Sequence, residues 1–182
     1  VYVGIDPSVG GGGEGSDECG IVAAGMLPSG RVVVLVDGSI RAHPDVWSQR
    51  AVSLHHSLQG TGIVIEKNQG HELLRTQIRD AADQLGLPQP TVLLADAHGT
   101  KDFRAGQVAT GYRNPAGNPL VVHSAELKGG ELEAQMVGWI PGAPKKESGV
   151  KSPDRVDALV WVLRGLLYPV EAIDDFSVAA NP

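Results

Sequence analysis

Cysteine is almost missing from this chain. Cys19 stands alone, so no internal disulfide can form, and the composition suits a reducing compartment. No Cys/His set has the spacing of a zinc site. No apolar run approaches the ~20 residues of a membrane span, and the start carries no signal-peptide pattern. No G-x-x-x-x-G-K-[ST] occurs, which excludes a Walker-type phosphate loop. Gly10 to Gly13 opens no helix pattern and reads as a turn rather than a phosphate cradle. Basic residues are in deficit, with a net charge of -6, which by itself argues against a dedicated nucleic-acid binder. A metal nuclease escapes that argument, because its site acids add negative charge that bound cations offset.

What is present is one domain's worth of chain, 182 residues with ordinary apolar content. It begins on Val inside a strand pattern and so reads as a piece of a longer protein. Val1 to Asp6 is a buried strand that runs into Pro7 and a Gly-rich loop, Val9 to Glu18. Cys19–Leu27 and Arg31–Asp37 are strands joined by the turn Pro28-Ser29-Gly30, an antiparallel hairpin. The spacing of Trp47, Ala51, Leu54 and Leu58 predicts a helix from Pro44 to Leu58, with His55 and His56 as surface or packing residues. Ile63–Glu66 is a fourth strand. His71–Leu85 is a helix stopped by Gly86, and Thr91–Ala95 is a fifth strand ending at Asp96 and His98. For Asp96 a capping or turn role is the simpler reading. Lys101–Tyr112 reads as a helix, Arg113 to Asn118 as a loop, Leu120–His123 as a short strand and Glu131–Trp139 as a helix. Pro141 to Gly149 is a polar linker. The last helix starts at Ser152 as N-cap with Pro153 as its first residue, and Val156, Leu159, Val160 and Leu163 form its apolar face. The domain spans 1–170, and 171–182 reads as a loosely ordered tail. Three strands in a meander followed by alternating helices and strands imply a mixed α/β sheet.

Three acidic tips lie far apart in this order. Asp6 ends the first strand, Glu66 ends the fourth, and Asp154 and Asp157 sit three apart at a helix start, able to face one side. Acids at a helix start are commonplace, and Asp before Pro is a common turn starter. Together, however, they are what a site for two divalent ions needs. Carboxylates gathered at one edge repel unless cations sit between them, and all-oxygen ligation suits Mg²⁺ or Mn²⁺. Two such ions about 4 Å apart activate water and stabilise the leaving oxygen in phosphodiester cleavage.

These residues resemble a known family, the nuclease domain of the large terminase subunit of tailed bacteriophages. The matching segments are Gly4-Ile5-Asp6-Pro7, Asp17 to Gly25, Glu66-Lys67-Asn68-Gln69-Gly70, Lys101 with Arg104-Ala105 and Val108-Ala109, Leu132-Glu133-Ala134-Gln135-Met136 with Trp139-Ile140-Pro141, and Ser152 to Leu159. They occur in the family's order from Val1 to about Leu167. The resemblance implies an RNase H-like mixed five-stranded sheet, three strands antiparallel and the rest parallel, flanked by helices. It also implies a metal-dependent endonuclease that cuts concatemeric viral DNA during packaging, in the cytoplasm of the infected bacterial host. Its partners would be double-stranded DNA, a terminase ATPase domain in the same full-length chain, the small terminase subunit and the portal or procapsid. Asp6, Glu66 and Asp157 would hold the two Mg²⁺ or Mn²⁺ ions, with Asp154 as ligand or helper. Asn68 and Gln69 would orient Glu66 or the DNA backbone, and Lys101, Arg104 and Arg113 would contact phosphates. The missing Walker loop fits an isolated nuclease domain. Other readings stay open: a Holliday-junction resolvase or other DNA-processing nuclease of the same fold, an actin-like or sugar-kinase ATP-binding domain, and a non-catalytic DNA- or partner-binding module.

Overall fold

The computed structural model describes residues 1–7, 18–67, 70–96, 100–113, 118–139, 153–168 and 170–173. Its strands are β1 (Tyr2–Asp6), β2 (Gly20–Met26), β3 (Val32–Asp37), β4 (Gly62–Lys67), β5 (Val92–Asp96), β6 (Val121–His123) and β7 (Glu171–Ile173). Its helices are α1 (Pro44–Ser57), α2 (His71–Leu85), α3 (Lys101–Tyr112), α4 (Glu131–Gly138) and α5 (Asp154–Leu167), with a 3-10 turn at Ala125–Leu127.

The strands form one sheet in the order β6-β3-β2-β1-β4-β5-β7. β1, β2 and β3 are the antiparallel meander. β4 pairs parallel with β1, and β5 parallel with β4. The expected five-stranded sheet is therefore present, and a three-residue strand extends it at each edge. β6 adds to β3 in parallel and β7 to β5 in antiparallel. The second of these takes Glu171–Ile173 out of the expected loose tail, since they are paired backbone, and 174–182 lie outside the described residues. A strand of three residues leaves no periodic signal, and its partner lies far off in sequence.

Period-two alternation sends each strand's residues to two faces. Val3, Ile5, Ile21, Ala23, Ile63 and Ile65 bury against Trp47, Ala51 and Val52 of α1 and Ile78, Ala81 and Ala82 of α2. On the other face Val22, Ala24, Val32 and Val34 meet α5, with Ala105 and Val108 of α3 and Leu132 of α4. Helices on both faces give three layers. The predicted α2 stop holds: Gly86 takes a left-handed φ of 64°, which closes the helix at no steric cost.

α5 departs from its expected one-sided face. Eleven of its 14 residues are buried, from Asp154 through Leu163 and again at Gly165. It can lie this deep because the strands beneath it carry glycine. A Cβ built on Gly4 would stand 2.4 Å from the Ala158 carbonyl oxygen and 2.6 Å from the Val162 nitrogen. One on Gly20 would stand 2.0 Å from the Asp154 carbonyl oxygen. The backbones of sheet and helix thus touch at two points. Gly20→Ala should force α5 outward and cost about 3 kcal/mol of stability, read as a lower urea midpoint with a folded far-UV spectrum retained.

His55 packs as expected of a structural histidine. Its ring fills the space beside Gly60, where a Cβ would come within 2.5 Å. Burial, with His56 and the Val1 α-amino group adding repulsion, holds its pKa below the ordinary 6.5, against the opposing effect of a backbone hydrogen bond at Gly60. The unfolded chain then binds more protons, so stability falls as pH drops through 6.5 toward the lower folded value. The melting temperature should fall between about pH 7.5 and about pH 5.5, and His55→Leu should flatten that slope.

Candidate functional site

The paired register of β1 and β4 runs Tyr2 to Gly62, Val3 to Ile63 and Gly4 to Val64. Continued along both strands, it sets Asp6 level with Glu66. Both then alternate onto the α5 face, as Gly4 and Val64 do. Asp6 is also paired with Gly20, the residue that the Asp154 backbone lies against. Helix α5 starts over that point and continues back along β1, meeting Gly4 at Ala158 and Val162, then Tyr2 and Val64 at Gly165. Its first turn, with Asp154 and Asp157, therefore sits at the carboxyl edge of the sheet beside Asp6 and Glu66. Three sequence-distant segments converge there, where open α/β sheets commonly place sites.

Asp154 and Asp157 are 7% and 8% exposed, so neither is the solvated helix-start acid that a lone sequence pattern suggests. Among the described residues no three Asp, Glu, His or Cys side chains converge closely enough to hold a metal ion. What the fold supplies is the backbone framework that delivers four carboxylates to one edge. Asp96 falls outside that set. It pairs with Lys67, one position past the Glu66–Ala95 pair, so alternation turns it to the opposite face. His98, Asn68 and Gln69 lie outside the described residues, as do the glycine run, the polar linker and Ser152.

Lys101 and Arg104 lie on the first turn of α3, which Thr100 caps by accepting the Phe103 N–H at 3.2 Å. This helix follows β5 and so begins near the carboxyl edge. Arg113 closes its other end, ~18 Å along the axis. There it lines an open recess of about 600 Å³ with Ser29, Arg31, Asn118, Pro119 and Leu120, at the hairpin end of the sheet. Arg31 donates to Asn118 Oδ1 at 2.7 Å. Arg113 is thus remote from the carboxylates, and sequence spacing gave no sign of that.

The residues that hold the site together had no assigned role in the sequence reading. Arg155, 8% exposed, reaches three acids from three segments. Its Nη2 donates to Glu18 Oε1 at 2.7 Å and also to Glu131, and its Nη1 donates to Asp37. Burial works against the guanidinium's charge, but Asp37, Glu18 and Glu131 outweigh it and raise its pKa further. The α5 N-terminus is not capped as predicted. Pro153 occupies the cap position, helix begins at Asp154, and no side chain of the cap residue accepts a bond. Gln135 of α4 supplies the acceptor, its Oε1 taking the Arg155 N–H at 3.0 Å and the Val156 N–H at 3.2 Å. A basic residue between the two acids of the helix start, Asp154 and Asp157, was the available signal for Arg155. Nothing in the sequence points from Gln135 to residues 20 positions on.

α4 is itself anchored. Leu132 is buried, and Glu133 bonds His123 Nδ1 at 3.1 Å and the Gly129 N–H at 2.7 Å. The Tyr112 hydroxyl meets His123 Nε2 at 2.9 Å, and burial, with Glu133 nearby, raises the tyrosine pKa so that it stays protonated.

The three ion pairs of Arg155 are unequal. The Asp37 side chain is 9% exposed and Glu18 18%, whereas Glu131 is 79% exposed and screened by water. Arg155→Met should therefore strand two largely buried carboxylates and cost about 3 kcal/mol. Glu131→Gln should cost under ~1 kcal/mol. Urea denaturation of both variants measures the contrast.

No family model matches the chain, and no curated protein matches it. Solved structures do. The yeast mitochondrial Holliday junction resolvase Ydc2 is similar at 11% identity and a TM-score of 0.51, over 91% of this chain and 78% of that one. T. thermophilus RuvC in complex with Holliday junction substrate aligns at 15% identity and a TM-score of 0.43, covering 89% of this chain and 90% of that one. A second T. thermophilus RuvC structure gives 15% and 0.44, over 94% and 99%. The likeness to Ydc2 shows the fold, a mixed sheet with helices on both faces of the RNase H-like type.

Proposed function

We propose that this chain is a divalent-metal-dependent endonuclease domain that cleaves DNA. The observation that carries the reading is the shared level and face of Asp6 and Glu66, with the first turn of α5 brought over them by Gly4 and Gly20. The donor set is all oxygen, which fits Mg²⁺ or Mn²⁺ and not zinc. Asp6, Glu66 and Asp157 would hold the ions, with Asp154 as ligand or helper. Bound there, a pair of such ions would activate water and stabilise the departing oxygen of a phosphodiester. The chain's own part is to hold the carboxylates aligned and partly shielded from water. Asn68 and Gln69 would orient Glu66 or the DNA backbone. Lys101 and Arg104, at the near end of α3, would contact phosphates next to the cleavage point. Arg113 would contact phosphate farther away, beside Arg31.

Within this class the ordered motifs, above all Ser152 to Leu159, favour the terminase nuclease domain, which cuts concatemeric viral DNA for packaging. A junction resolvase is the second reading, favoured by the fold likeness to Ydc2. An ATP-binding domain has less support, because it leaves Glu66 and the α5 acids without a role.

Purified protein should nick and linearise supercoiled plasmid with Mn²⁺ or Mg²⁺ and not with EDTA. Asp6→Asn and Asp157→Asn should each lower the rate at least ~100-fold. Cleavage that survives both substitutions would sink the site. A four-way junction cut in preference to linear duplex of the same sequence would select the resolvase reading, and equal cutting the terminase reading.

A further inference from the structure

We infer that Gln135 is a positioning residue for the carboxylate site, acting on helix α5 from α4 by capping its first turn; this rests on the metal-nuclease reading. A helix start leaves its first N–H groups without intrahelical partners, and a side chain of the cap residue normally accepts one. Pro153 has no acceptor to offer. The Gln135 amide oxygen takes two of these donors at once, Arg155 N–H and Val156 N–H. Both lie between Asp154 and Asp157. The cap therefore fixes the very turn that carries two of the four acids.

The geometry distinguishes this from a chance surface contact. Glu131 and Gln135 are four apart on α4 and so share a face. One binds the Arg155 side chain and the other the Arg155 backbone. Arg155 is thus held at both ends by a single helix. That helix is fixed independently, through Leu132 in the core and Glu133 on His123 and Gly129. The Asp154 carbonyl is in turn pressed against Gly20. The first turn of α5 is thus held both by strand β2 and by the Gln135 amide. Without the amide oxygen, two donors would turn toward water or a phosphate, and the turn would unwind from its amino end. Asp154 and Asp157 would then lose their level with Asp6 and Glu66.

The test uses Gln135→Met, which keeps length and apolar bulk but removes the acceptor, and Gln135→Glu, which keeps an acceptor. Amide hydrogen exchange of the metal-free protein comes first. In Gln135→Met the Arg155 and Val156 amides should exchange roughly ten-fold faster, with Leu163 unchanged as an internal control for folding. Gln135→Glu should restore their protection. Cleavage is then measured against Mn²⁺ concentration. Gln135→Met should need at least about ten-fold more Mn²⁺ for half-maximal rate, with most of the rate recovered at saturation. Unchanged amide exchange would overturn the cap, and an unchanged Mn²⁺ requirement would overturn the positioning role. If the wild type itself neither binds Mn²⁺ nor cuts DNA, the nuclease reading fails and the positioning role with it, whatever the amides show.

Discussion

Everything at the carboxyl edge depends on how closely α5 lies on β1 and β2. Helices ordinarily stand off a sheet by the thickness of two side chains. Here Gly4 and Gly20 remove one of the two layers, so helix carbonyls and amides touch strand backbone. The approach sets three things at once. It buries α5 nearly all round, fixes where along β1 the helix begins, and brings Asp154 and Asp157 to the level of Asp6. Neither a larger residue at Gly20 nor a shift of the helix by one turn would keep that alignment.

Crowding acids in one place costs electrostatic energy, and the fold answers with a buried cation. Arg155 gathers Glu18, Asp37 and Glu131, each from a different element. The acids of this edge thus comprise a set tied to Arg155 and, as a second set, the four of the candidate site, Asp6, Glu66, Asp154 and Asp157. In the proposed function the second set is the one that receives cations. A guanidinium suits the first task because its planar fork can serve several carboxylates and stays charged at any working pH. The pairing also draws the loop before β2, the end of β3 and the start of α4 onto α5.

The likeness to Ydc2 and the motif resemblance speak to different levels. A shared mixed sheet at 11% identity shows architecture and leaves the chemistry to the site. The motif resemblance speaks to the acids themselves and to the segments around them. In this chain one acid stands at the end of a strand in the meander, one at the end of its parallel neighbour and two on the helix that returns across them.

Much of this was legible in the sequence. Helices α2 and α3 have the predicted bounds, and α1 is one residue short of its predicted end, because apolar period and stop residues are local properties. The five strands of the sheet's centre follow from alternation and turns, whereas the parallel pairing of β1 with β4 that makes Asp6 and Glu66 neighbours is non-local. Strand β6 was legible as the short strand Leu120–His123 but its pairing with β3 was not, and β7 was missed altogether, since three residues carry no period and such pairing is non-local. The same holds for the supports of the site. Gln135 on α5, Arg155 on Asp37, and Arg113 beside Arg31 at the far end of the sheet are contacts between distant segments, fixed by helix direction and strand order. Local pattern was enough to name the residues able to bear the chemistry and the elements that carry them. Which of them meet was settled by tertiary packing, because that depends on how closely two backbones approach, and no local pattern encodes that distance.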